Sequence, residues 1–345
     1  MKKILVAAAG TGGHVIPAEV TAQRLESSNF DLCFAGHGLD ANAYFQRDRW
    51  KYHDIPAAPP SLQKFFSFIR SNSQGLYRAI KLVNQFDLVI GFGSYHTIPI
   101  LAAAALQRIP YILYEANAHP GRVIRLFSTC ALWTGCFFEE AQNKLRGKTH
   151  AVKHPIRPSF TPLPTQEAGR LHFSLPLSGP TVLIMGGSQG AGVFNQAIPR
   201  IAAQLSTRFS FIHLAGSSAH IEAIEEAYKN AGLQAIVKPY EENMPYAYAA
   251  CDLVISRSGA SAISEIEYCQ KPAIYIPFPR AKENHQLINA QAAAKRGNAK
   301  IFDQNQFHSS SFLQAIEQMV STPVVSSVGR PTFDQYLLTT LQGKI

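Results

Sequence analysis

The apolar positions of the chain fall in short blocks, each ending in glycine or a small polar residue and followed by a segment with helical spacing. Residues 4–9 are wholly apolar and run into Gly10-Thr11-Gly12-Gly13-His14. Pro17 is then placed to open a helix through residue 27, because a first-turn position needs no N–H partner. Residues 31–36 and 52–55 read as further strands, 87–95 as a strand running into a second glycine loop with an apolar helix behind it to Leu106, and 111–114 as the next strand, with Glu115-Ala116-Asn117 at its end. Short strands follow near Leu132 and Ala151, and the Pro- and Ser-rich stretch 159–179 predicts an interdomain linker. The alternation then resumes, with strands at 182–185, 209–215, 236–237, 253–256 and 273–276 and helices at 193–205, 219–230 and 244–250. A last helix is expected over 333–341. This order predicts an α/β chain with parallel sheets, in two similar domains that face one ligand.

The loops carry the chemistry. Gly186-Gly187-Ser188-Gln189-Gly190 joins a buried strand to a helix, as does the loop at Gly10. The first N–H groups of a helix have no partner within it, and the aligned peptide dipoles leave partial positive charge there, so such a turn holds a phosphate without a lysine. Neither loop has the G-x-G-x-x-G of a dinucleotide site or the G-K-[ST] of a P-loop, which argues against hydride transfer and ATP hydrolysis. A third helix N-terminus is expected at 257–265, where Glu265 is placed either to cap the helix or to accept both hydroxyls of a ribose. Glu115 and Asn117 stand at a strand's carboxyl end, the ligand-binding edge of an open parallel sheet. Arg157 and the amide and imidazole groups of Asn284, His285 and Gln286 are further candidate partners for phosphate and sugar hydroxyls.

One segment does not fit a simple sheet-and-helix pattern. Leu62, Phe65, Phe66, Phe68, Ile69, Leu76 and Tyr77 alternate with Lys64, Arg70, Arg78 and Lys81 at helical spacing. A helix of this kind suits a membrane interface, where each basic residue near anionic lipid adds about 1 kcal/mol, and equally suits a helix with its aromatic face in a core.

Composition narrows the picture further. The 345 residues allow two separate cores, and 46% hydrophobic with 16% charged residues describes a globular chain. The net charge of +9 favours anionic partners. Basic residues are not grouped with an RNA-binding aromatic signature, so nucleic acid is not expected. The five cysteines form no C-x-x-C pair, and D-x-D, H-E-x-x-H and G-x-S-x-G are absent, so neither a metal nor a disulfide framework is expected. Lys2 and Lys3 before an apolar run imitate a signal peptide, but the run is too short; a buried first strand and a reducing cytoplasm are the reading.

Taken together, Gly10-Thr11-Gly12-Gly13-His14-Val15-Ile16-Pro17, Gly186 to Ala191, Ser256-Arg257-Ser258-Gly259-Ala260 with Ser264-Glu265, and His285-Gln286 with Asn289-Ala290 resemble the MurG family, in order along nearly the whole chain. That family transfers N-acetylglucosamine (GlcNAc) to lipid I, giving lipid II for peptidoglycan. The resemblance implies a GT-B architecture, two Rossmann-like domains with an interdomain cleft: residues 1–158 as the acceptor and membrane-facing domain, 159–325 as the UDP-sugar domain, and 326–345 as a terminal helix packing back on the first. It implies donor contacts at Thr11, Gly12, Gly13, Asn117, Arg157, Ser188, Met244, Ala260, Ser261, Ala262, Ile263, Ser264, Glu265 and Gln286, and a diphosphate loop at Gly186, Gly187, Gln189 and Gly190. Glu265 would hold the ribose and Gln286 the sugar.

The family inverts at the anomeric carbon, and His14, which titrates near neutrality, is the candidate base, with an orienting or diphosphate-binding imidazole as the alternative. No cofactor and no metal are expected, since UDP-GlcNAc is itself a substrate. A lipid acceptor implies a peripheral enzyme on the cytoplasmic face of the inner membrane. Lys64, Phe65, Phe66, Phe68, Ile69 and Arg70 would then meet the anionic surface, with cell-wall synthesis or division proteins as candidate partners. Two departures stand out: Ala9 and Ala116 replace the family's Gly and Gln. A UDP-GlcNAc 2-epimerase of the same fold, or a non-catalytic UDP-sugar sensor, are the alternatives.

Overall fold

The computed structural model describes residues 2–60, 63, 65–187, 190–217, 220–307, 309–323 and 329–343, with the side chain of Phe65 left aside. The expected membrane residue Lys64, the Phe65 side chain and the donor-loop residues Ser188 and Gln189 therefore lie outside the described residues. The chain divides into two compact units, one of Met1–Arg157 with Gly329–Ile345 and one of Pro158–Val328.

The first unit is built on a seven-stranded parallel sheet. Its strands are β1 (Lys3–Ala7), β2 (Asp31–Gly36), β3 (Tyr52–Asp54), β4 (Leu88–Gly91), β5 (Tyr111–Glu115), β6 (Thr134–Cys136) and β7 (Thr149–Ala151), in the order β3-β2-β1-β4-β5-β6-β7. The second unit repeats the scheme with β8 (Thr181–Met185), β9 (Ser210–Leu214), β10 (Gln234–Lys238), β11 (Leu253–Ser256), β12 (Ala273–Tyr275) and β13 (Ala299–Ile301), in the order β10-β9-β8-β11-β12-β13. Both are Rossmann-like. The central strands are apolar over most of their length because helices cover both faces; Ile4 to Ala9 and Val182 to Ile184 are completely buried. In each sheet the chain winds outward from its first strand and then crosses to that strand's other side, so the switch point lies at β1/β4 and at β8/β11.

Three local expectations change. Helix α1 spans Gly12–Glu26 and begins before Pro17, which is buried inside it. The cause lies at Gly10 and Thr11: Gly10 turns the chain at φ +90°, Thr11 is extended, and the Thr11 carbonyl takes the N–H groups of His14 (3.0 Å) and Val15 (3.2 Å). The helix therefore starts on the glycines, and His14 becomes a first-turn residue. The stretch 159–179 is not a linker, since it contains the helix Gln166–His172 packed against Met244–Ala250. Thr165 caps this helix by accepting from the Ala168 N–H. Buried Arg170 donates to the carbonyls of Ala250, Leu177 and Gly179 and to Asp252, which ties the Pro- and Ser-rich stretch into the second unit.

The third change concerns helix α2 (Phe65–Val83). It packs on α3 (Ile98–Leu106), and its buried face carries Gly75, Ala79, Leu82 and Val83 rather than the aromatic residues. Phe66 is 86% exposed, Ile69 and Arg70 are exposed and Phe68 is half-buried. The core reading of the aromatic face is thus excluded for Phe66 and Ile69.

Residues after 329 return to the first unit. Phe333 is completely buried, with ring centroids 4.7 Å from Tyr114, 5.6 Å from Trp133 and 5.7 Å from Phe92, and Arg24 pairs with the buried Asp334 at 2.6 Å.

The α2–core contact yields a test. A Cβ at Gly75 would stand 1.9 Å from the Pro56 carbonyl oxygen, a backbone atom that cannot rotate away. Gly75→Ala should destabilise the first unit by about 1–3 kcal/mol in chemical denaturation despite the better helix propensity of alanine, and unchanged stability would contradict this packing.

Candidate functional site

In the first unit, Thr11, Gly12, Gly13 and His14 share one turn at the carboxyl end of β1. The His14 Nδ1 lies 2.7 Å from the carbonyl oxygen of Phe92, in the loop after β4. A carbonyl only accepts, so Nδ1 carries the proton, and Nε2 is the basic nitrogen of the neutral ring. Gly93 follows at φ +82°, and its Cα side lies against the imidazole, with a Cβ placed there 3.5 Å from His14 Cε1. The sequence reading singled out His14 but missed the Phe92 carbonyl that orients it. Its signal was the paired glycine loops at the ends of β1 and β4, neighbours in the sheet.

Further along the same edge, Glu115 ends β5. One carboxylate oxygen accepts from the Asn117 N–H (2.8 Å) and side-chain amide (3.2 Å), and the other from the Gly121 N–H (2.8 Å). Glu115 thus shapes the loop that presents Asn117. Its complete burial outweighs these donors and pushes its pKa up to about 7. Arg157 lies half-buried at the end of the unit, after β7.

In the second unit, the loop after β8 needs glycine for steric reasons. A Cβ on Gly186 would meet the Ala191 nitrogen at 2.3 Å, and one on Gly190, at φ +72°, the Ala215 carbonyl oxygen at 2.2 Å. The helix Gly192–Ala202 follows. After β11, the helix Ala260–Tyr268 starts with Ala260, Ser261 and Ala262, whose N–H groups precede the first intrahelical bond, from Ile263 to the Gly259 carbonyl. Ile263 faces the core, and the Ser264 hydroxyl donates back to the Ser261 carbonyl. Glu265 is half-buried and accepts from the buried Tyr248 hydroxyl at 3.1 Å, a partner the sequence reading did not identify. Arg257, also buried, donates to the carbonyls of Ile276 and Pro277 and so fixes the loop against the end of β12.

Gln286, near the start of the helix His285–Ala294, accepts the Phe278 N–H on its side-chain oxygen (2.9 Å), which leaves its amide hydrogens as donors. Ser258 donates to the Gln286 carbonyl at 2.8 Å, joining this helix to the third loop. Met244 opens the helix Met244–Ala250 with its side chain buried, so any ligand contact there falls to its backbone. The structure therefore gathers Gly186, Gly187, Gly190, the start of Ala260–Tyr268, Glu265 and Gln286 at the carboxyl edge of the second sheet. Among the described residues no group of three or more His, Cys, Asp or Glu could hold a metal ion.

Comparison with known proteins bears directly on this arrangement. Residues 4–133 match the glycosyltransferase family 28 N-terminal domain, and residues 181–325 match its C-terminal domain. A protein of Protochlamydia amoebophila, named UDP-N-acetylglucosamine--N-acetylmuramyl-(pentapeptide) pyrophosphoryl-undecaprenol N-acetylglucosamine transferase, is 34% identical over 84% of this chain and 79% of its own length. One of the same name from Halothermothrix orenii is 32% identical over 92% of this chain and 90% of its own. The chain belongs to the MurG family. The crystal structure of Acinetobacter baumannii MurG superposes with a TM-score of 0.81 at 25% identity, with both chains fully covered, so the fold is GT-B. A UDP-GlcNAc 2-epimerase from Neisseria meningitidis shares the fold alone, at 16% identity and a TM-score of 0.66 over 99% of this chain and 100% of its own. That common scaffold is why the sequence alone left an epimerase open. The matched family is one of glycosyltransferases, and the chain is an enzyme of that kind.

The environment of Glu115 yields a pH dependence. Its carboxyl holds a proton more tightly in the folded chain than at the ordinary value of 4.5. The stability this group contributes is therefore full below about pH 4.5 and is lost as the pH rises to about 7. Glu115→Gln, which cannot ionise, should remove that slope from a denaturation series across the window, whatever its effect on the absolute value. An unchanged slope would show that Glu115 titrates at its ordinary pH.

Proposed function

We propose that the chain transfers GlcNAc from UDP-GlcNAc to undecaprenyl-diphosphate-MurNAc-pentapeptide, lipid I, with inversion, and so produces lipid II. The observation that carries this reading is the His14–Phe92 hydrogen bond, in a chain whose relatives bear that activity in their names over most of its length. The second unit binds the donor. The loop residues Gly186, Gly187 and Gly190 and the helix N-termini at Gly192 and Ala260–Ala262 hold the diphosphate, Glu265 takes the ribose hydroxyls and Gln286 the sugar hydroxyls. The first unit binds the acceptor. Its 4-hydroxyl oxygen attacks the anomeric carbon, the bond from that carbon to the diphosphate oxygen breaks, UDP departs with the electron pair, and His14 Nε2 takes the hydroxyl proton. Positive charge at the helix N-termini, with Arg157, stabilises the leaving diphosphate.

We further read α2 as the contact with the membrane. Phe66 and Ile69 are apolar side chains exposed on a helix that also presents Arg70, Arg78 and Lys81, which suits a peripheral protein on an anionic cytoplasmic leaflet. No helix among the described residues is long and apolar enough to cross a membrane.

The test of the reaction is a transfer assay with a lipid I analogue. A product one GlcNAc longer, formed only with both substrates, supports the transferase; donor turnover that ignores the acceptor would instead favour an epimerase. His14→Ala should retain UDP binding and lower kcat by roughly 10²–10⁴, the usual contribution of a general base, and an unchanged rate would remove His14 from that role. Separately, Phe66→Ser with Ile69→Ser should weaken sedimentation with anionic vesicles while sparing the donor KM; equal binding of both proteins would exclude the membrane contact.

A further inference from the structure

Over the carboxyl ends of β2, β1 and β4 lies an open pocket of about 390 Å³, lined among others by Gly10, His37, Asn42, Tyr44 and His96. None of its lining residues belongs to the machinery described above, although Gly10 turns the chain into the loop of His14. Two imidazoles dominate it, their centroids 5.8 Å apart and their planes nearly parallel at 29°. Each has its Nδ1 engaged from behind. The His37 Nδ1 faces Asp54 Oδ1 at 3.3 Å, and Asp54 also takes the Gly38 N–H. The His96 Nδ1 lies 2.9 Å from Ser94 Oγ, which also accepts the His96 N–H at 3.4 Å. With the Ser94 hydroxyl hydrogen turned to Nδ1, neutral His96 donates from Nε2. Burial and the neighbouring His37 both hold the His96 pKa below its ordinary value, which favours the neutral ring.

The rest of the lining decides what kind of anion fits. Among the described residues no Lys or Arg lines the pocket, which is poorly matched to a diphosphate. Asn42 is already committed, donating to the Gly10 carbonyl at 2.7 Å and accepting from the Tyr44 N–H at 2.9 Å. Ala41 and Ala43 leave room for a short, uncharged chain. We infer that the pocket binds the carboxylate end of a short peptide, the class of group that the acceptor's pentapeptide supplies. This rests on the transferase reading above. Gly10 links the pocket to function, since it turns the chain into the loop that carries His14 and a Cβ on it would stand 3.2 Å from His96 Nδ1.

The experiment compares a lipid I analogue bearing a free peptide carboxylate with the same analogue amidated at that carboxylate. In the unaltered protein, amidation should raise the acceptor KM about tenfold, as expected for the loss of one hydrogen bond to a charged group. His96→Leu should raise the KM for the acid to the same degree and erase the difference between acid and amide, while the KM for UDP-GlcNAc stays the same. His96→Gln, which keeps an N–H donor, should restore part of it. Equal KM values for acid and amide in the unaltered protein, or a difference that survives His96→Leu, would overturn the proposal. So would inhibition by inorganic diphosphate that is relieved in His96→Leu, which would mark a phosphate site. If the unaltered protein forms no transfer product, the transferase reading fails by itself, and ring-proton NMR of His37 and His96 with the free pentapeptide decides the pocket. Shifted signals support the carboxylate site and unmoved signals overturn it.

Discussion

The hydrogen bond from His14 Nδ1 to the Phe92 carbonyl joins the loop after β1 to the loop after β4. These strands are neighbours in a parallel sheet, so their carboxyl ends emerge side by side and their loops meet at the switch point. The bond exists because Gly10 and Thr11 start α1 early enough to make residue 14 a first-turn position. Glycine at 93 lets the second loop lie flat against the ring. Much of the first unit's chemistry follows from that contact: it selects the imidazole tautomer and fixes the direction of the basic nitrogen, and the Gly10 turn behind it is shared with the His37–His96 pocket.

The second unit applies the same constraint to a different end. Here the loop after β8 carries glycine where backbone approaches backbone, and buried polar side chains hold the loops after β11 and β12 in register. Arg257 is the clearest case. Its guanidinium is buried against two carbonyls at the end of β12 and stacks over Phe194 at 4.7 Å, so a charge inside the unit serves to position main chain. Tyr248 does the same for Glu265, and Phe278 for Gln286. The side chains proposed to meet the donor are thus steered by groups that are not.

Much of this was legible in the chain. Strands β1, β4, β8 and β11 read directly from short apolar runs because both faces of a parallel sheet are covered, and the glycine loops read from strand-to-helix punctuation. Other features were hidden by local signals that tertiary packing overrides. Pro17 suggested a helix start, yet the Thr11 carbonyl had already begun the helix five residues earlier. The Pro- and Ser-rich stretch at 159–179 suggested a linker, yet Arg170 reaches five acceptors and draws it into the core. The α2 pattern left its aromatic face to a membrane or to a core, and the face that packs instead carries Gly75, where only a residue without Cβ fits against Pro56. The pocket at His37 and His96 was invisible because its walls come from residues near 10, 37, 42 and 96, which only the strand order β3-β2-β1-β4 brings together.

Nitrogen-15 NMR of the imidazole in the resting protein at neutral pH measures directly which nitrogen of His14 carries the proton. The hydrogen bond to Phe92 predicts a protonated Nδ1 and a bare, basic Nε2 in the neutral ring. A neutral ring protonated at Nε2 would contradict the geometry and the assignment of His14 as the base that accepts the acceptor's proton.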